Sequence, residues 1–158
     1  MLPILLINER VVIDAMAPEV WKVLTDLPDY PHWNPFLPHA QGEVRTGAHI
    51  RFTMRPPHRR ALRFNFKVTR VVPDQDLRME YIPFTRGYLD REWDILVQSI
   101  GRTQTAVTQR MLFRGRFVPH YQSRLEPAVR EGLQAMNRGL KEWVERRGGA
   151  VRELPKFS

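Results

Sequence analysis

One apolar stripe near the C-terminus constrains the fold more than any other feature of the sequence. Between Ser123 and Arg147 the apolar residues recur at steps of three and four, the spacing of one face of an α-helix. Such a helix would be about 37 Å long, and its single stripe needs an apolar partner surface of similar length. The stripe consists of Leu125, Val129, Leu133, Met136, Leu140, Trp143 and Val144.

The partner surface is predicted by a change of period between Ala40 and Gly115. There apolar and polar residues alternate, as they do in antiparallel strands with one buried face. Five turn signals divide this stretch into six strands, and the segment from Ile4 to Asp14 adds a seventh at the N-terminus. The inner face of this sheet is the only predicted surface long enough to cover the helix.

Two short helical segments are expected between the first strand and the rest of the sheet. Apolar residues at helical spacing predict a helix from about Pro18 to Asp26. The next stretch, Leu27 to Pro38, contains four prolines and is expected to hold one helical turn at most. This order predicts an α+β helix-grip fold at residues 1–148, a seven-stranded curved antiparallel sheet around a long C-terminal helix. Gly148-Gly149 is expected to end that helix, which leaves 149–158 as a flexible tail.

Composition excludes several classes of protein. The chain has no cysteine, which excludes disulfides and thiolate chemistry and favours a cytoplasmic location. No apolar run approaches about 18 residues, so no integral membrane association is expected. The net charge of +8 either attracts an acidic partner or reflects the arginine bias of a GC-rich genome. The densest basic cluster, from Arg55 to Arg63, lacks interleaved aromatic residues, so no nucleic-acid partner is predicted.

The sequence also lacks the common catalytic and cofactor motifs. Its five histidines show no metal-ligand spacing, its three serines offer no plausible nucleophile, and no glycine-rich phosphate loop occurs. Neither a metal nor another cofactor is therefore expected. His32 and His120 are expected near the mouth of the sheet, where imidazole could act as a general base. The candidates for a catalytic role are His120 and Arg91.

Several segments resemble the START-like SRPBCC superfamily, and in particular its polyketide cyclase/dehydrase-like branch. The resemblance rests on Ile13 to Asp26, Tyr30-Pro-His-Trp-Asn-Pro-Phe36, Gly47 to Arg51, Arg55-Pro-Pro57, Glu92-Trp-Asp-Ile95 and Gly132 to Lys141, and it covers roughly residues 8 to 147. It implies the helix-grip fold and an internal pocket for a small hydrophobic molecule. Because the superfamily includes both carriers and aromatase/cyclases, it does not identify the activity.

The inward faces of the strands and of the helix predict which residues surround such a pocket. If Phe64 and Phe66 point inward, the alternation along the other strands selects further residues, most of them apolar or aromatic. The predicted ligand-binding residues are Trp33, Phe52, Phe64, Phe66, Met79, Tyr81, Arg91, Trp93, Gln109, Met111, Phe113, Leu133 and Met136. The intervening acidic residues Asp90, Glu92 and Asp94 are expected to face water and to pair with Arg102, Arg110 and Arg114.

Arg91 is the most informative of these residues, because a guanidinium among apolar side chains is costly unless it is paired. It could pair with an internal carboxylate, extend to the mouth of the pocket, or meet an anionic ligand. Three functions stay open: a carrier of a hydrophobic or aromatic (polyketide- or lipid-like) molecule, a cyclase, dehydratase or isomerase, and a partner-binding module with a vestigial pocket. Met111 and Phe113 at inward positions favour the carrier over the enzyme.

Overall fold

The computed structural model of the protein describes residues 1–55 and 58–152. Its elements follow the predicted order, with seven strands, a short helix, a 3-10 helix and a long terminal helix. They are β1 (Ile4–Ile13), α1 (Ala17–Thr25), the 3-10 helix (Leu27–His32), β2 (His39–Gly42), β3 (His49–Met54), β4 (Leu62–Val72), β5 (Asp76–Tyr81), β6 (Asp90–Ser99), β7 (Thr105–Arg114) and α2 (Val118–Arg152).

The seven strands form one antiparallel sheet in the order β1-β7-β6-β5-β4-β3-β2. Strands β2 to β7 are therefore a meander, and β1 pairs antiparallel with β7 at the far edge. The pairing of β4 with β5 shifts register between Val68 and Arg70, an irregularity that increases local twist and bending. The predicted helix-grip architecture is confirmed.

The core lies between the inner face of the sheet and α2, as the two periodicities predict. On β6 the residues Trp93, Ile95 and Val97 are buried, and their alternation continues the inner face of the neighbouring strands. The helix contributes the predicted stripe, of which Leu133 and Leu140 have no exposed surface. Hydrophobic burial along this whole contact is what holds the helix against the sheet.

Both ends of α2 differ from the prediction. The helix begins at Val118 rather than Ser123, because Val118 is itself buried and Pro119 is tolerated in a first helical turn. It also continues past Gly148 and Gly149 to Arg152, so the prediction that these glycines end it was wrong. Gly148 does not adopt a left-handed conformation, and without one a glycine only weakens a helix by about 1 kcal/mol. Of the predicted flexible tail, residues 149–152 belong to α2 and 153–158 lie outside the described residues.

The proline-rich connection after the 3-10 helix packs directly against α2. The side-chain oxygen of Asn34 accepts hydrogen bonds from the backbone N–H groups of Phe36 (3.2 Å) and Leu37 (2.8 Å), which fixes the turn. Gly132 and Gly139 of α2 lie under it, and a Cβ at either position would collide with the Phe36 ring or the Trp33 carbonyl. Two glycines one heptad apart thus let the turn approach the helix closely.

None of the helices within residues 1–55 and 58–152 combines the length and the apolar character needed to cross a membrane.

Candidate functional site

A cavity of about 240 Å³ lies between the sheet and the N-terminal half of α2. Its wall comes from β3, β4, β6 and β7 on one side and from the first turns of α2 on the other, and most of it is apolar. The lining residues are Phe36, Met54, Arg59, Leu62, Phe64, Phe66, Arg91, Met111, Phe113, Tyr121, Arg124, Leu125, Ala128 and Val129. This is the position in which the resemblance implies a ligand pocket.

Three other concavities are larger in volume but more open to the surface. One, of about 370 Å³, lies between the 3-10 helix and β2. The other two measure about 590 and 610 Å³, and they run between the turn at residues 31–38 and the face of α2 that carries Gly132 and Gly139. Pro35, Arg55 and Ala135 line both of them. A small-molecule site is normally concave and buries most of its ligand, so the internal cavity is the better candidate.

Arg91 is the only charged side chain that β6 places in the cavity wall. Its guanidinium carbon lies 4.8 Å from the centre of the Phe64 ring and 5.4 Å from the centres of the Tyr81 and Phe113 rings. Among the described residues no carboxylate lies within 4.0 Å of it, and its buried Nε has no hydrogen-bond partner. The guanidinium is therefore surrounded by aromatic rings and lacks a counter-charge.

The aromatic surroundings of Arg91 change its electrostatics without removing its charge. Burial lowers the pKa of the guanidinium, and the neighbouring Tyr81 acts in the opposite direction. An arginine in a protein nevertheless stays protonated. The three rings offset part of the desolvation through cation–π attraction, but a ring is at best a weak acceptor for an N–H donor. The cavity wall thus contains a permanent cation whose buried Nε donor has no partner in the described chain.

The other end of the interior is closed by a chain of buried hydrogen bonds. The Trp93 indole donates to the Gln109 side-chain oxygen (3.1 Å), and the Gln109 amide donates to the Asn137 side-chain oxygen (2.7 Å). These bonds join β6, β7 and α2, and all three residues are almost completely buried. A satisfied network of this kind fixes how a helix lies on a sheet.

Comparison with known proteins agrees with this architecture. A family model described as polyketide cyclase / dehydrase and lipid transport matches residues 6–145. The chain belongs to this family. No curated protein matches the sequence.

Solved structures share the fold at low sequence identity. Norcoclaurine synthase from Thalictrum flavum superposes with a TM-score of 0.71 at 16% identity, over 94% of this chain and 98% of that one. The aromatase/cyclase Zhui from Streptomyces sp. R1128 gives 0.72 at 15% identity, over 92% and 96%. A START superfamily protein from Mycobacterium smegmatis gives 0.68 at 16% identity, over 89% and 97%. The predicted START-like fold and superfamily are confirmed.

Five of the predicted ligand-binding residues line the cavity of this family member: Phe64, Phe66, Arg91, Met111 and Phe113. Tyr81 lies behind Arg91, which its ring contacts. A second group packs in the closed core outside the cavity lining: Phe52, Met79, Trp93, Gln109, Leu133 and Met136. Trp33 lines the open groove instead of the cavity. That any of these residues contacts a ligand stays a prediction.

Neither histidine candidate reaches the cavity. His120 is exposed on the first turn of α2, where its ring meets the edge of Tyr121 at 4.8 Å. The prediction that His32 lies near the mouth was wrong. Its Nδ1 is hydrogen-bonded to the Asp29 carboxylate (2.7 Å), and its ring stacks on Trp143 along the open groove. No group of three or more histidine, aspartate or glutamate side chains that could hold a metal ion occurs in the described part of the chain.

The helix side of the cavity was largely missed by sequence reasoning. Tyr121, Arg124 and Ala128 line it, but none of them was predicted to do so, and α2 was expected to begin only at Ser123. One signal was available, because Tyr121 extends the stripe of Leu125 and Val129 backwards by one turn. Within the basic cluster, Arg59 lies at the rim of the cavity, and Pro56 and Pro57 lie outside the described residues.

Proposed function

We propose that the protein binds a small hydrophobic or aromatic molecule, polyketide- or lipid-like in character, in the cavity between the sheet and α2. The observation that carries this proposal is the cavity wall itself, which is built from aromatic and aliphatic side chains of four strands and one helix. A folded core normally fills such a space, because an unfilled apolar cavity costs stability. A wall with a few polar groups among apolar ones is typical of ligand sites.

The size of the cavity limits the ligand. Sites for drug-sized molecules measure roughly 300–1,000 Å³, and this cavity of about 240 Å³ lies just below that range. A molecule with one or two rings, or a short chain, suits it better than a long folded polyketide chain. This favours binding of a compact ligand over the cyclisation of an extended one.

An alternative function is a cyclase, dehydratase or isomerase reaction in the same cavity, which the family description and the named aromatase/cyclase keep open. Such an enzyme needs a group that moves a proton at the substrate. The described lining offers the Tyr121 phenol and three arginines but no imidazole or carboxylate. We therefore favour the binding role.

The test uses two matched substitutions on α2. Ala128 lines the cavity, whereas Ala135 lines the open grooves. We expect Ala128→Phe to fill the cavity and to abolish saturable binding of a neutral aromatic probe, such as naphthalene-2-carboxamide, measured by calorimetry. Ala135→Phe should leave that binding unchanged.

The reverse result, with Ala135→Phe alone abolishing binding, would move the site to the groove. Absence of binding by the unaltered protein would contradict the proposal for ligands of this size.

A further inference from the structure

We infer that the ligand of the cavity is a monocarboxylic acid with a compact apolar body, and that Arg91 is the residue that binds its carboxylate. This inference rests on the proposed function and makes it more specific, because it names the charge of the ligand. The structural basis is a cation in a mainly apolar wall, with no carboxylate within 4.0 Å of it among the described residues.

The inward direction of Arg91 is set by the sheet. Its neighbour two residues along β6 is the fully buried Trp93, so the alternation aims Arg91 at the inner face. On the adjacent strands it is opposite Phe113 of β7 and Tyr81 of β5. Three rings then surround the guanidinium.

The Arg91 side chain is half-buried, and its guanidinium lacks the kind of partner that Arg78 has. Arg78, elsewhere on the sheet, has a carboxylate partner, and it donates to both oxygens of Asp94 at 2.7 and 3.2 Å. Arg91 has no such carboxylate in the described chain, and its Nε is buried without an acceptor. A guanidinium presents its donors as a planar fork that matches the two oxygens of a carboxylate.

Charge balance favours a single negative charge. The single guanidinium that β6 places in the wall neutralises one anionic group, whereas a dianion such as a phosphate monoester would leave a second charge beside apolar side chains. The other two cations of the lining, Arg59 and Arg124, are exposed at the rim. They raise the local concentration of anions without entering the apolar part of the cavity.

The experiment compares two probes that differ in charge and hardly at all in shape: naphthalene-2-carboxylate and naphthalene-2-carboxamide. Titration calorimetry measures both against the full-length protein, Arg91→Met and Arg110→Met. Arg110 is the matched control because it is exposed on the outer face of β7 and does not line the cavity. Arg91→Lys is added because it keeps the charge and removes the fork.

We expect the unaltered protein to bind the carboxylate at least about tenfold more tightly than the amide, as one charge-assisted pair provides. Arg91→Met should remove that preference and keep amide affinity within about threefold. Arg91→Lys should retain part of the preference, and Arg110→Met all of it. The preference should persist in about 0.5 M sodium chloride, because a buried pair is screened much less than surface charges.

The outcomes separate the two proposals. Equal binding of both probes by the unaltered protein would overturn the anion inference and leave the proposed function standing, and this comparison does not depend on any variant folding. A preference that survives Arg91→Met, or that disappears in high salt, would assign it to the rim arginines and overturn the role of Arg91. If neither probe binds, the proposed function fails and the inference falls with it.

Discussion

The two ends of the interior differ in whether their buried polar groups have hydrogen-bond partners. At the closed end, Gln109 lies between Trp93 and Asn137 and satisfies both through hydrogen bonds. At the cavity end, Arg91 sits on the same two-strand surface, and its buried Nε meets no acceptor in the described chain. An unsatisfied buried polar group costs free energy. Of the five buried polar atoms without a partner in the described chain, the Arg91 Nε is the one that belongs to the cavity wall. The contrast separates a structural polar group from a candidate binding group.

The largest effect should come from removing bulk at the closed end. Leu133→Ala should lower the free energy of unfolding by about 2–5 kcal/mol, because Leu133 is fully buried and its removal leaves a cavity. Leu62→Ala at the rim of the existing cavity, where Leu62 is 48% exposed, should change it by no more than about 0.5 kcal/mol. Urea unfolding measures both. Similar losses in the two variants would show that the two ends are packed alike.

Breaking the satisfied network should have an intermediate effect. Gln109→Leu leaves the Trp93 N–H and the Asn137 side-chain oxygen without partners, so we expect a loss of about 1–3 kcal/mol. Gln98→Leu, on the exposed outer part of β6, is the matched control and should be nearly neutral. Chemical unfolding compares the two, and an unchanged Gln109→Leu variant would mean that the network contributes nothing to the closed end.

Removing the unsatisfied cation should change stability much less. Without ligand, Arg91→Met should unfold within about 1 kcal/mol of the unaltered protein, because the lost cation–π attraction is offset by the relief of a desolvated charge. If Arg91 instead had a buried carboxylate partner, the same change would cost about 3–5 kcal/mol. Thermal and urea unfolding in the absence of ligand distinguish the cases. A large loss would remove the contrast between the two ends.

The smallest effect concerns a third buried polar group, Asp76 at the start of β5. Burial raises its pKa above the ordinary 3.8, as does nearby Asp94, while Arg70 and Arg78 act in the opposite direction. The folded state therefore holds this proton more tightly than the unfolded chain, so the associated stability is present below about pH 3.8 and is lost as pH rises through the folded pKa.

We accordingly expect Asp76→Asn to be more stable than the parent at neutral pH, by no more than about 1 kcal/mol. The gain should shrink as pH falls below the folded pKa, where the parent carboxyl is itself protonated. Urea unfolding as a function of pH measures this. A variant that loses stability at neutral pH would show that the ion pair with Arg70, at 3.2 Å, outweighs the burial.

The partners of the acidic residues on β6 show where sequence reasoning ended. Asp94 was expected to face water and to pair across to β7, and it does lie opposite Arg110. Asp94 is nevertheless buried, with 6% of its surface exposed, and its carboxylate accepts a hydrogen bond from Arg78 of β5, the strand on the other side of β6. Every inner strand has two neighbours, and the alternation predicts the face of a residue but not which neighbour its side chain will contact.

The architecture and the inward direction of Arg91 could be derived from the sequence, because the spacings of apolar residues are local and each corresponds to one backbone geometry. The stripe from Leu125 to Val144 required a long partner, and the alternation around Trp93 required a sheet with an inner face. Only the tertiary structure decided which inward residues pack and which line a cavity. Phe52 of β3 and Phe66 of β4 are both inward residues of the strand alternation, yet Phe52 is in the closed core and Phe66 in the cavity wall. That difference depends on how closely α2 approaches each strand, which is set by the volumes of all the side chains between them.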